Sequence, residues 1–202
     1  LKNNLTPAQN AQRYYGRYNK LKRTEEALSE QIVQTEEEIG YLESLLGAME
    51  LADCEKDLED IRLELHETGY IRKNRQKKKN LAVSHPLEAV TSEGLKVLTG
   101  KNNIQNDQLT FRMAGPKDLW FHVKDIPGSH TVLFCADKEY GADYTDQSIL
   151  EAAQIAAGHS KASEGSTVAV DYTQRRYVKK PSGSKPGFVI YTHQKTLYVS
   201  GK

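Results

Sequence analysis

From Leu21 onward the apolar positions fall at Leu21, Leu28, Ile32, Ile39, Leu42, Leu46 and Met49, with Thr35 holding one slot, in a heptad rhythm among charged residues. That spacing predicts a coiled-coil seam along one helix. Thr6-Pro7-Ala8-Gln9 supplies its start: a cap hydroxyl, a proline at the first helical position and a Gln able to bond back to the cap. A helix from Pro7 to about Met49 would be roughly 65 Å long, too long to persist in water without a partner for its stripe. Leu51, Cys54, Leu58, Ile61 and Leu65 repeat the spacing, Gly47 and Asp53 offer a break and a new cap, and Gly69 offers a stop. Residues 1–70 therefore read as an antiparallel helical coiled-coil hairpin with unequal arms.

From about Val83 the pattern changes to short apolar runs separated by Gly, Pro and Asn. Strands are predicted near 95–99, 119–124, 130–135, 167–172, 188–191 and 196–199, with a short helix around 107–113 and a longer one over 146–158. Ile149, Ala152, Ala153, Ile155, Ala156 and Ala157 give the longer helix a small-residue face suited to a sheet. The fold class is α+β: the helical hairpin, then a small mixed domain over 83–202 with a mainly antiparallel sheet.

Charge sharpens this division. Residues 1–23 carry six basic and no acidic side chains; 24–68 carry two basic against fifteen acidic, net −13; 69–202 carry twenty basic against twelve acidic, net +8. The whole-chain value of +1 hides an acidic arm between two basic regions. Residues 71–82 read as a basic hinge, with Arg72, Lys73, Arg75, Lys77, Lys78 and Lys79 as phosphate-binding candidates. In the first helix Arg13, Tyr14, Tyr15, Arg17, Tyr18, Lys20, Lys22 and Arg23 interleave rings with cations, which suits either RNA contact or packing on a neighbouring domain. The acidic run reads as a solvated face, with a basic protein as the partner it would meet.

The most chemistry per residue lies in Asp118-Leu-Trp-Phe-His-Val-Lys-Asp-Ile-Pro-Gly-Ser-His130. Strand alternation sends Leu119, Phe121 and Val123 to a core and Trp120, His122 and Lys124 to an outer surface able to stack on a base. Ile126-Pro127-Gly128-Ser129 predicts a tight turn with positive φ at the glycine, returning His130 toward the strand. A competing structural reading has the histidines and aspartate holding the strand and turn by buried hydrogen bonds. Asp118, His122, Ser129 and His130 lack a strand-turn-helix nucleophile elbow, and His122, His130 and Cys135 lack a fourth zinc ligand at any recognised spacing. No catalytic residue, metal or cofactor is expected. After Asp171 no acidic residue remains, while Arg175, Arg176, Lys179, Lys180 and Lys185 gather in a Gly-, Ser- and Pro-rich loop. The candidate RNA-binding residues are these five cations with Trp120, His122, Lys124, Ser129 and His130.

Cys54 and Cys135 match no disulfide or zinc pattern and read as reduced thiols. No apolar run approaches the roughly 18 residues of a membrane span. The opening at Leu1, with no charged start leading into an apolar run, reads as a piece of a longer chain without a signal peptide.

Gly100-Lys-Asn-Asn103, Asn106-Asp107, the 118–130 segment, Glu151-Ala-Ala-Gln-Ile-Ala-Ala157, Val178-Lys-Lys-Pro181 and Lys185-Pro-Gly187 together resemble the C-terminal NFACT-R domain. The arm, with Leu5-Thr-Pro-Ala-Gln-Asn10 and its Tyr-Tyr pair, resembles the middle coiled coil of the NFACT family, whose bacterial branch is RqcH-like or fibronectin-binding-protein-A-like. The resemblance implies a cytoplasmic ribosome-associated quality-control factor that binds stalled large ribosomal subunits, through rRNA and ribosomal protein, and tRNA, in support of C-terminal alanine tailing without mRNA. Tailing is expected to need the family's N-terminal and helix-hairpin-helix modules, so this piece is expected to be a binding module and not an enzyme. The alternative implied by the same family is a cell-surface adhesin fragment whose partner is fibronectin.

Overall fold

The structure is a computed structural model that describes residues 1–72, 84–160 and 166–200. Its contacts divide into a unit Leu1–Gly40 and a unit Tyr41–Lys202. Helix α1 spans Pro7–Leu51 and α2 spans Glu55–Glu67. The expected cap is present: the Thr6 amide donates to Gln9 Oε1 at 2.9 Å and the Gln9 amide donates to Thr6 Oγ1 at 3.3 Å.

Within Leu1–Gly40 the stripe residues Leu21, Leu28, Ile32 and Ile39 are each at least half exposed. Within Tyr41–Lys202 the expected seam holds at Ile61 and Leu65 of α2 and is corrected in α1 and at Leu58. Tyr41, Leu45 and Ala48 of α1 pack against Ile61 and Leu65 of α2, while Leu42, Leu46, Met49 and Leu58 face outward. The buried face sits one position before the heptad reading because it is built on Tyr41 and Ala48, neither of which that reading counted. At 1.5 Å per residue the thirteen residues of α2 reach only ~20 Å along its partner.

The domain that follows is α+β. Six antiparallel strands pair in the order β1-β2-β4-β3-β5-β8: β1 Leu87–Val90, β2 Lys96–Thr99, β3 Leu119–Val123, β4 Thr131–Leu133, β5 Thr167–Gln174 and β8 Lys195–Ser200. The edge strand β1, half exposed along its length, has no counterpart among the predicted strands. Helix α4, Asp146–Gly158, covers one face, its Ala152, Ala153, Ala156 and Ala157 pressed on Phe121, Val123, Leu133 and Val170. The other face is covered too. Helix α3, Asn103–Gln108, continues into a π-helical turn, Leu109–Met113, and with the β6–β7 ribbon, Val178–Lys179 and Ile190–Tyr191, it closes a second core around Leu98, Trp120 and Val132. The expected strand at 188–191 thus shortens to two residues outside the main sheet.

Candidate nucleic-acid interface

The outer surface expected of β3 does not form. Trp120 is fully buried in the second core, its ring parallel to His122 at 5.7 Å and edge-on to His130 at 5.1 Å. Because α3, the π-helical turn and the β6–β7 ribbon roof this face, period-two alternation here separates two cores and not core from solvent. Lys124 is exposed and His122 is partly buried, whereas Ser129 and His130 are buried. The turn differs as well: Asp125 takes the positive φ of 55°, and Gly128 lies in ordinary backbone against Ser160, where a Cβ would come within 3.2 Å of the serine Cβ.

These side chains are committed to structure. Asp118 accepts from the amides of Gly115, Cys135 and Ala136 at 2.7, 2.8 and 2.7 Å, fastening β3 to the segment after β4. The His130 Nδ1 shares a 2.8 Å hydrogen bond with Thr110 Oγ1, and its amide donates to Asn106 Oδ1 at 3.1 Å. Burial first, then the neighbouring His122, pushes His130 down to about 3 and keeps its ring neutral. Burial lowers His122 as well. The Cys135 thiol, raised by burial, belongs to the main core, and both cysteines are free.

The basic loop divides into anchored and outward cations. Arg175 donates to the carbonyls of Thr110 and Phe111 at 2.6 and 3.3 Å and clamps the π-helical turn. Lys180 is ion-paired with Asp107. Lys185 donates to Tyr70 Oη at 3.1 Å and lies 4.3 Å from the Tyr41 ring centre. Arg176 and Lys179 are exposed, Arg176 lying over Tyr177 at 4.8 Å. Tyr177 stacks on His193 at 4.3 Å and 23°, with Phe188 and Ile190 about half exposed on the same strand pair or its approach. His193 is brought beside Tyr177 by the β6–β7 pairing, which sequence spacing does not announce. Arg72 is exposed, while the hinge candidates Lys73, Arg75, Lys77, Lys78 and Lys79 lie outside the described residues.

A second polar cluster joins the end of α1, α2 and the corner before α3. Lys101, buried, donates to Asp53 at 2.8 Å and Asp57 at 3.3 Å. Burial pushes Asp57 up, but hydrogen bonds from Ser84, Cys54 and the Asp53 backbone prevail and bring it to about 2. Among the described residues Asp53, Cys54 and Asp57 are the one group with metal-ligand spacing, and the Lys101 ammonium already supplies their cation. Asn103 Nδ2 donates to Ser44 Oγ at 2.9 Å and Glu64 Oε1 at 3.0 Å, and Tyr41 donates to the same Glu64 oxygen at 2.9 Å. Burial raises the Glu64 carboxyl despite these donors. Gly100 and Gly187 permit the close packing: a Cβ would fall 2.2 Å from Asn106 Oδ1 at the first and 2.4 Å from Asn103 Oδ1 at the second, where φ is also +77°.

The described residues thus form long helices and a two-cored α+β domain that carries exposed cations beside the Tyr177–His193 stack. The chain belongs to the NFACT family: residues 86–192 match the NFACT protein RNA binding domain, and residues 1–82 match the NFACT N-terminal and middle domains. It is 45% identical over 200 residues to the Rqc2 homolog RqcH of Bacillus subtilis (strain 168), covering 98% of this chain and 34% of that protein. It is 43% identical over 199 residues to the Rqc2 homolog RqcH of Streptococcus suis (strain 05ZYH33), covering 97% of this chain and 34% of that protein. The chain thus spans about a third of the length of these curated relatives. A solved structure, the C-terminal of the fibronectin/fibrinogen-binding protein from Streptococcus suis, superposes with a TM-score of 0.80 at 42% identity, covering 99% of this chain and 78% of that one. Among the described residues no helix is long and apolar enough to cross a membrane.

Proposed function

We propose that this chain is the RNA- and ribosome-binding part of a cytoplasmic ribosome-associated quality-control factor. It would engage stalled large subunits and tRNA and, with the remainder of the longer protein, support C-terminal alanine tailing. The observation that carries this reading is the RNA-binding family match over 86–192, a range that holds the exposed Arg176 and Lys179 and the half-buried Tyr177. In this reading the chain acts as a binding module, organised as a coiled-coil hairpin over 1–70, a basic hinge over 71–82 and the RNA-binding domain over 83–202. Of the RNA-binding candidates, the exposed Arg176, Lys179 and Lys124 would meet phosphate directly, with the hinge cations adding to them. Trp120, His122, Ser129, His130, Arg175, Lys180 and Lys185 would act by shaping the domain. The test is RNA affinity measured against salt. A linear fall of log affinity with log salt is expected, with a slope shallower by about two in the Arg176→Glu/Lys179→Glu chain; a flat dependence would sink the reading.

The superposition on the streptococcal fibronectin/fibrinogen-binding protein favours a second reading, a surface adhesin fragment. Binding to purified fibronectin that survives RNase and moderate salt would support it. Loss under either condition would assign the binding to charge-mediated carry-over.

A further inference from the structure

Among the described residues only Asp125 and His193 combine a side chain with a positive φ, and His193, at 58°, sits in the turn between β7 and β8. A left-handed backbone is costly for a residue with a Cβ and persists where surrounding contacts hold it. Here they do. The Thr192 amide donates to the Tyr177 carbonyl at 3.3 Å, Thr173 Oγ1 donates to the Thr192 carbonyl at 2.9 Å, and His193 Nδ1 shares a 3.0 Å hydrogen bond with Thr192 Oγ1. The exposed imidazole is thereby laid against Tyr177, the ring centres 4.3 Å apart and the planes 23° from parallel. Arg176 reaches the same tyrosine ring at 4.8 Å. His193 lies just past the family match over 86–192, which assigns it no role.

Two near-parallel rings fixed before any ligand arrives lower the ordering cost of adding a third flat group. The chemistry beside them narrows what that group is. Arg176 and Lys179 are exposed in the same segment as Tyr177, and the sequence has no acidic residue after Asp171. An acidic peptide would satisfy the cations and leave the rings unused, whereas a nucleotide brings a π face and a phosphate together. The base must be unpaired. Within a duplex both faces of a base are covered by its neighbours, so protein rings stack on bases splayed out of a helix.

We propose that His193, backed by Tyr177, stacks on an unpaired base of RNA while Arg176 and Lys179 meet the adjoining phosphates. The proposal rests on the RNA-binding reading and adds to it a substrate class, single-stranded RNA, and the ring that receives the base. His193→Gly isolates the contact, since glycine adopts positive φ without strain and the change removes the ring alone. Tyr177→Leu is a second variant that removes the backing ring.

Fluorescence anisotropy of the whole chain with a single-stranded RNA, an abasic strand of equal length and an RNA duplex of that length, at one salt concentration, tests it. The single strand is expected to bind at least about fivefold tighter than the abasic strand. Both variants should erase that difference by weakening the single strand, with the abasic strand and the duplex bound as before and the melting temperature of His193→Gly no lower. A single strand held no tighter than the abasic one, a preference that either folded variant retains, or an equal loss on all three RNAs overturns the stacking proposal and leaves RNA binding standing. Failure of the unsubstituted chain to bind any of the three overturns both.

Discussion

Trp120 contacts His122, His130 and Tyr191 and fills the second core, so Trp120→Ala should cost about 3–5 kcal/mol of stability. Any loss of RNA affinity should then follow the unfolded fraction measured by denaturant titration. A loss in fully folded protein would instead assign the ring a direct contact. His130 predicts a pH dependence whose sign is fixed by burial. Its ordinary value is 6.5 and its folded value about 3, so between these limits the unfolded chain takes a proton that the folded chain refuses. Stability is unaffected above about pH 6.5 and falls on acidification, by up to ~1.4 kcal/mol per pH unit for one such group. His122, also lowered, adds to the slope. Glu64, raised, opposes it once pH falls toward its own titration. Melting temperatures between about pH 7 and 5 should decline, and less so in His130→Asn; a flat profile would contradict a neutral buried ring. That Asp118 and His130 hold a strand and turn was legible as one of two readings of the sequence. The roof that decided between them was not.

Between elements, the buried Lys101–Asp57 pair joins α2 to the corner before α3. Lys101→Met should destabilise by about 3–5 kcal/mol, because it strands the Asp57 charge, and Lys101→Met/Asp57→Leu should recover most of that loss. Equal losses in the single and double variants, read by thermal and denaturant unfolding, would argue that packing and not charge matters there. The helices give a second contrast. Leu45→Ala, in the α1–α2 contact, should cost about 2–5 kcal/mol, whereas Leu28→Ala or Ile32→Ala should stay within about 0.5 kcal/mol in this chain. Helix α1 was legible from its cap and heptads because those signals are local. Its packed face was not, since Tyr41 is buried by bonding a buried Glu64 in another helix, a pairing set by long-range contact.

For the whole molecule, the segmental charges predict that net charge alone says little about affinity. Neutralising Glu25 and Glu26 on the acidic helix should leave the salt slope of RNA binding unchanged, whereas reversing Arg176 and Lys179 should flatten it. Matching slopes in the two variants would show that a diffuse field and not the Tyr177–His193 surface governs binding.

By itself, the sequence determined what short-range physics encodes: the Thr6–Gln9 cap, the long α1, the alanine face of α4, the central strands, the α+β class and the separation of charge. Only the tertiary structure decided that β3 is covered on both faces, that Arg175, Lys180 and Lys185 are anchored while Arg176 and Lys179 face out, and that His193 lies on Tyr177. The reason is common to all three. Burial of a side chain depends on which distant segment covers it, and strand alternation or local charge is the same with that cover or without it.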